Sequence, residues 1–435
     1  TLCEPGELKS RAIEWLNAHQ DILNRNYDPD FPEPEQLSRE DKQKIIDQAK
    51  LRYTVSPSRP YFHAALDALE GGLRLSFDAA VRNEIDLFVP LLFHPNSRNK
   101  IDFFFLATSI APRLVKVDRS AAVRADRVAV IGAGLMGQGI AQVAADNGLH
   151  VTLVDVDDTR TRAGLEMLDR SMEDLVSKGR WPKSRKEAAM GKLTCSTAYE
   201  DLKDIPLVVE CVFEDLALKR NILAQVQAVN PRAIFASNTS TIPMADIAAE
   251  SELPQQVVGM HFFSPVPLMP LLEVVQGDKS GAAAVATAVT VGRVMGKTVI
   301  RVGDGPGFYT SRTFGNYVLN GFRLAELGMS PWEVDALALQ AGFPQGPLHV
   351  YGTTGGNVIY HANRFMEERR PDRVQMAPSL VRLYEAGYVG AGQPSFYLDP
   401  RKMIPNEDAL QYVVTRTGFP RPTDEDAKDV LLLGM

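Results

Sequence analysis

The stretch Gly132-Ala133-Gly134-Leu135-Met136-Gly137 constrains this chain more than any other feature. It follows a β-branched apolar run, Arg127–Ile131, and opens an apolar-periodic helix over residues 135–147. The three glycines do different jobs. Gly132 permits the tight turn, Gly134 lets backbone approach a pyrophosphate, and Gly137 lets the helix sit close to the strand. A pyrophosphate there meets free N–H groups and the positive end of a helix. A second strand, 151–154, is closed by Asp155, about 20 residues on, where the dinucleotide fingerprint places an acid for the ribose hydroxyls. A glycine turn beside a surface Asp explains any one part, but not all of them in register. The expected cofactor is NAD rather than NADP. Asp155 accepts from ribose hydroxyls and repels a 2′-phosphate, Asp157 and Asp158 add to that repulsion, and no Arg directly follows Asp155.

Around this loop, short β-branched runs alternate with helical patterns. Strands are expected at 207–211, 233–236, 257–261, 271–275 and 298–302, with helices at Leu216–Val229 and 281–295. Such alternation marks a doubly wound, mainly parallel sheet. Residues 1–125 read as helical instead, with patterns at 7–19, 38–52, 63–75 and Phe77–Leu92 broken by a Pro-rich stretch. After Gly305-Pro306-Gly307 the strands stop, and 308–327 and 331–341 read as helices. A second copy of that helical unit is expected from near Asn406. Residues 424–435 read as a helix capped by Thr423 in which the chain stops, so the chain is expected to be a fragment. The expected architecture is an α/β Rossmann-type sheet domain (126–304), then an all-α domain (305–435), preceded by a helical segment (1–125).

Composition narrows the function classes. A net charge of −7 over 435 residues offers no broad basic face, which argues against nucleic acid as a partner. Cys3, Cys195 and Cys211 show no framework or Cys-x-x-Cys spacing, which fits free thiols in a reducing compartment. The longest apolar runs fall far short of a membrane span. No metal site is expected.

Three further segments carry polar chemistry. Ser237-Asn238-Thr239-Ser240-Thr241 follows a strand directly, at the end where open sheets bind ligands, although such residues also favour caps and turns. His261 ends a strand and is followed by Phe262-Phe263-Ser264-Pro265; a lone His here is more often structural. Glu273 is a carboxylate in an apolar strand, and buried carboxylates are rare unless paired. The prolines between the two strands let them lie side by side, which makes His261 the natural partner of Glu273. Such a pair suits the oxidation of an alcohol: the histidine takes the proton, and the glutamate fixes its tautomer and stabilises the imidazolium. Ser240 is placed to hydrogen-bond the reacting hydroxyl.

Taken together, the glycine loop, Ser-Asn-Thr-Ser, His-Phe-Phe-Ser-Pro-Val, Leu-Leu-Glu-Val and Asp-Gly-Pro-Gly-Phe resemble the L-3-hydroxyacyl-CoA dehydrogenase family over about residues 126–397. The resemblance implies NAD-dependent oxidation of (S)-3-hydroxyacyl-CoA to 3-oxoacyl-CoA. It implies His261 as general base, Glu273 as its partner and Ser240 at the substrate oxygen. Met136, Asp155, Glu214, Lys219 and Ser264 would line the NAD site, and Ser171 and Lys178 would hold the CoA moiety. The basic run Lys178, Arg180, Lys183, Arg185 would suit CoA phosphates, or would be a solvated loop. Ser311 stands where the monofunctional enzymes have a substrate-facing Asn. Pro270 and the segment 392–397 also depart from the family pattern. A catalytically impaired NAD-binding scaffold subunit is therefore the alternative expectation, and a dehydrogenase of free 3-hydroxy acids a third. Residues 57–115 resemble the linker helices after the hydratase domain of multifunctional β-oxidation α subunits, and no hydratase core is recognisable. That branch implies a thiolase partner, self-association, and a location in the bacterial cytoplasm or the mitochondrial matrix, the former favoured.

Overall fold

The computed structural model describes residues 38–53, 60–106, 109, 115–400 and 402–434. The helical pattern at 7–19 and Cys3 lie outside the described residues.

Eight strands form one sheet in the order β3-β2-β1-β4-β5-β6-β7-β8. They are β1 (Arg127–Ile131), β2 (His150–Val154), β3 (Leu193–Ser196), β4 (Leu207–Glu210), β5 (Ile234–Ser237), β6 (Val257–Phe262), β7 (Leu271–Gln276) and β8 (Thr298–Gly303). Pairing is parallel except between β6 and β7. Strands β4, β5 and β6 are buried at every residue. That is what a parallel sheet covered on both faces demands, and it explains why these strands read as continuous apolar runs. One face carries an apolar cluster with the helices Leu135–Asp146, Asp158–Ser177 and Ala282–Val294. The other carries Ile222, Leu223 and Val226 of the helix Leu216–Val229, with Ile242, Met244 and Ile247. Strand order reverses direction around β1, so the loops after β1 and β4 flank the switch-point crevice.

After β8 the chain enters a second core. Here the helix Thr310–Glu326 supplies Tyr317, Val318, Leu319, Phe322, Leu324 and Ala325. It packs against Pro331–Gln340, Pro347–Thr354 and Asp424–Leu433. The last of these starts on a capping box between Thr423 and Asp426.

The second core is helical, as expected, and adds one short antiparallel ribbon of Tyr397–Asp399 and Ile404–Pro405. Two local readings are corrected. Near Asn406 the chain makes a 3-10 helix, Glu407–Tyr412, rather than opening a copy of the helical unit. Part of the basic run is also ordered as the helix Lys183–Met190. Its charges are spent internally: Arg185 grips Asp146 at 2.7 and 2.8 Å and stacks over Trp181. Strand β3 had no sequence signal. It is short, lies at the sheet edge and buries only Leu193.

Before the sheet, four helices (Arg39–Tyr53, Pro60–Arg74, Phe77–Leu92, Pro95–Phe105) pack in succession. The third buries none of its residues.

Candidate active site

Strand register brings the first two site residues together. His261 on β6 and Glu273 on β7 are direct partners in the antiparallel ladder. The imidazole Nδ1 lies 2.7 Å from Glu273 Oε2, with Glu273 fully buried and His261 7% exposed. An ionised carboxylate only accepts, so the shared proton sits on Nδ1 and Nε2 of the neutral ring keeps its lone pair. The rings of Phe263 and Phe308 lie 4.5 and 5.9 Å from the imidazole, centroid to centroid, and limit its movement.

Glu273 is also held from the second domain. Its Oε1 accepts from the backbone N–H groups of Tyr309 (3.2 Å) and Thr310 (2.9 Å), and its Oε2 from the Thr310 hydroxyl (2.6 Å). Burial alone would raise the Glu273 pKa. The hydrogen bonds from His261 and from the hydroxyl and backbone N–H of Thr310 outweigh that and hold it below the ordinary carboxylate range. Gly307 (φ +72°) and Phe308 (φ +47°) turn the chain so that Tyr309 and Thr310 face the carboxylate. A non-glycine residue in the left-handed region is costly, and Phe308 is held there by burial of its ring. Thr310 was not singled out from sequence. Nothing local flags it, since its partner lies 37 residues away.

The loop after β5 is organised by Glu214. Its Oε1 accepts from Thr239 Oγ1 (2.5 Å), Thr241 Oγ1 (3.0 Å) and the N–H groups of Ser240 (3.1 Å) and Thr241 (3.2 Å). Asn238 Oδ1 accepts from Phe262 N–H at 2.9 Å, stitching this loop to the strand that carries His261. Ser240 thus sits on a loop fixed to that strand, and its hydroxyl makes only a long 3.5 Å contact with Glu214. Beneath it, Lys219 is 1% exposed, with its ammonium 2.8 Å from Glu210 and 3.4 Å from Glu214. Burial opposes the Lys219 charge, but Glu210 and Glu214 outweigh it and raise its pKa. Burial would likewise raise Glu214, yet Lys219 and the loop hydroxyls and amide keep it lowered. Lys219 therefore does not line a surface: its influence on a cofactor passes through Glu214. Glu210, missed in the sequence, anchors the group by accepting from Lys219, Ser237 Oγ (2.6 Å) and Val212 N–H (2.7 Å).

The glycine loop fits a dinucleotide. A Cβ on Gly137 would stand 1.8 Å from the Gly132 carbonyl, and one on Gly132 (φ +105°) 2.8 Å from the Cys211 carbonyl. A Cβ on Gly134 would meet nothing within 4 Å, so the space above that residue is open. Gly134 is also the N-cap of the helix Leu135–Asp146, with no side chain covering the first-turn N–H groups. Asp155 follows β2; its carboxylate accepts from Ala133 N–H and Val156 N–H, both at 2.7 Å, and its side chain remains 13% exposed. Met136 packs against the sheet core.

Beside the same helix lies a cleft of about 260 Å³ lined by Gln138, Gln142, Ser171, Arg180, Ser264 and Val266 among others. Ser171 and Ser264 share this cleft. Lys178 does not line it; its ammonium is held by Asp174 at 2.5 Å. Arg180 lines the cleft instead. Ser311 stands in the first turn of the helix Thr310–Glu326, next to Thr310 and half-buried.

The model for the "3-hydroxyacyl-CoA dehydrogenase, NAD binding domain" matches residues 127–305, and that for its "C-terminal domain" residues 307–398. The chain is similar to a 3-hydroxybutyryl-CoA dehydrogenase of Mycobacterium tuberculosis, 38% identical over 270 residues, covering 61% of this chain and 94% of the relative. It is also similar to the fatty acid oxidation complex subunit alpha of Acinetobacter baylyi, 31% identical, covering 87% of this chain and 52% of that protein. It thus spans about half the length of that multifunctional relative. Among solved structures, it is similar to the (S)-3-hydroxybutyryl-CoA dehydrogenase of Ralstonia eutropha, with a TM-score of 0.60 and 31% identity, covering 62% of this chain and 98% of the other.

Proposed function

This chain belongs to the 3-hydroxyacyl-CoA dehydrogenase family, and from that premise we propose that it oxidises the hydroxyl of (S)-3-hydroxyacyl-CoA to the 3-oxo product in fatty-acid β-oxidation. NAD is the cofactor, and when bound it supplies the hydride acceptor.

The observation that carries this reading is the His261–Glu273 pair, in direct register on β6 and β7, with His261 near the carboxyl end of β6 as the glycine loop is at the carboxyl end of β1. In the proposed roles, His261 Nε2 removes the hydroxyl proton, and Glu273 keeps Nδ1 protonated and stabilises the imidazolium. Ser240 donates to the substrate oxygen from its pinned loop. Gly132, Gly134 and Gly137 shape the pyrophosphate cradle, Asp155 takes the ribose hydroxyls, and Glu214 with Lys219 beneath it holds the wall facing the nicotinamide half. Met136 supports the cradle from below. Ser264 lines the NAD site where it borders the cleft, Ser171 lines the CoA side of that cleft, and Ser311 faces the substrate from the first helix of the second domain. Lys178 is the proposed CoA contact, and the exposure of Arg180 in the cleft makes it a second cation for the same phosphates.

The test is consumption of NADH with acetoacetyl-CoA by the unaltered chain and by His261→Ala. A positioned general base contributes about 10²–10⁴ in rate, and a loss in that range supports the assignment. An unaltered chain that binds NADH without turnover would favour the scaffold reading, with Ser311 the first residue to exchange for Asn.

Similarity to a complex subunit supports a further proposal, that the full protein works with a thiolase and self-associates; co-purification tests it. No described helix is long and apolar enough to cross a membrane. The free thiols Cys195 and Cys211 suit a reducing compartment, and the bacterial cytoplasm is our proposed location.

A further inference from the structure

The helix Thr310–Glu326 has an unusual start. Its N-cap residue, Tyr309, makes no side-chain cap, and Thr310 does not cap the helix either. The acceptor for the first N–H groups comes instead from another domain: Glu273, on β7, takes both Tyr309 N–H and Thr310 N–H on Oε1. An anion at a helix N-terminus is favoured by the dipole as well as by these bonds. The carboxylate is therefore already anchored by the backbone. The Thr310 hydroxyl goes to the other oxygen, Oε2, which also receives His261 Nδ1–H. Two donors, at 2.6 and 2.7 Å, share that one oxygen.

We propose that Thr310 is a positioning residue for the His261–Glu273 pair, and that its hydroxyl, by sharing Oε2 with the imidazole, sets the pH at which His261 Nε2 becomes a free base. This rests on the reading of His261 as the general base. The physical argument concerns charge density. Each donor to a carboxylate stabilises its negative charge and makes it a weaker acceptor for the next. With the hydroxyl in place, Glu273 attracts the Nδ1 proton less, and the imidazolium form is less favoured. Without it, Oε2 serves the imidazole alone, the imidazolium is stabilised, and the proton leaves Nε2 only at higher pH.

No other charge competes for this role. Among the described residues, Glu273 is the one charged group in contact with His261. From β6 and the 305–309 segment, Phe263 and Phe308 face the ring. From β8 the register partner of Glu273 is Ile300. On the helix, Arg312 turns back to the Pro306 carbonyl, and Glu214 is occupied by Lys219 and the 239–241 loop. The arrangement also makes the pair a two-domain structure, complete only when the helix N-terminus is seated on β7.

The test uses the full chain with Thr310→Val, Thr310→Ala and Thr310→Ser. The first readout is the imidazole titration by NMR, with the His261 signal identified by its disappearance in His261→Ala; it needs no turnover. The second is the acid limb of kcat/KM for oxidation of 3-hydroxybutyryl-CoA. Losing one of the donors to the carboxylate should move both upward by about 0.5–1 pH unit in Thr310→Val and Thr310→Ala, and Thr310→Ser should restore both. Should the valine variant not fold, the alanine variant must still show the shift. A uniform loss of rate at every pH, with the titration and limb unmoved, overturns the proposal and leaves Thr310 a structural residue. So does a serine variant that fails to restore them. If the titration moves while the unaltered chain has no turnover, the coupling stands and the dehydrogenase reading fails. If turnover is present and neither readout moves, the reading stands and the coupling fails.

Discussion

Replacing Glu273 by Gln tests the catalytic pair with almost no change of shape. The carboxylate accepts four hydrogen bonds: two backbone N–H groups on Oε1, and His261 Nδ1–H with the Thr310 hydroxyl on Oε2. An amide offers one accepting oxygen and one NH2. Backbone N–H groups cannot reverse their role, so the amide oxygen must face Tyr309 and Thr310. Its NH2 then points at His261 and at the Thr310 hydroxyl. The hydroxyl can turn and accept, but Nδ1 can accept only by giving up its proton. The imidazole is driven into the Nε2–H tautomer, and the lone pair that would take the substrate proton is gone. A wrong-tautomer histidine in a comparable hydrogen-bonded pair costs about 10⁴ in kcat, or about 5 kcal/mol of transition-state stabilisation. We expect Glu273→Gln to lose about 10³–10⁴ in kcat with acetoacetyl-CoA and NADH while KM changes little and the variant still folds. Circular dichroism and the NADH dissociation constant check that the fold and cofactor site survive. A folded variant that keeps more than about a tenth of the original kcat would refute the tautomer argument, because no base of ordinary strength would then depend on Glu273.

Lys219→Met should destabilise the fold by about 3–5 kcal/mol, because it leaves the fully buried Glu210 without its partner; calorimetry reads this, and a change below about 1 kcal/mol would refute the buried-pair argument. Gly134→Ala should keep the melting temperature yet weaken NADH binding, since its Cβ enters the open space above the loop, whereas Gly137→Ala should lose both, its Cβ meeting a backbone carbonyl. Asp335 lies buried between the Leu348 N–H and the Tyr397 hydroxyl, and burial, against those hydrogen bonds, pushes its pKa up to about 7. The unfolded chain releases that proton near ~3.9 and the folded chain holds it to about 7, so stability should fall as pH rises across that window and level off above it, by on the order of 4 kcal/mol. Melting curves from pH 4 to about 8 check this, and Asp335→Asn, which keeps an acceptor for Leu348 and a partner for Tyr397, should flatten the slope.

Much of the site was legible because its chemistry is local. The glycine spacing, the acid after the second strand and the helix that follows are set by sterics within about 25 residues, and they lie as expected around β1 and β2. The His261–Glu273 contact was legible for a different reason. A carboxylate in an apolar strand must find a partner, and a short Pro-broken connection leaves few candidates. Glu210 was not legible, because at the end of an apolar run it looks like any strand-ending acid; only Lys219 and Ser237, arriving from a helix and a neighbouring strand, make its burial tolerable. The partners of the basic run were not legible for a related reason: a charge count does not reveal that Asp146, Asp174 and Glu187 pair with Arg185, Lys178 and Lys183.

Sequence alone therefore determined the cofactor, the sheet class and the pairing of His261 with Glu273, since each follows from residue types whose requirements are met by near neighbours in the chain. Tertiary structure alone decided which groups surround that pair. Strand order put Asn238 against β6, and the turn at Gly307 and Phe308 laid a helix N-terminus on Glu273. Those contacts join segments that carry no local preference for one another, and only the packing of two cores against a shared carboxylate selects them.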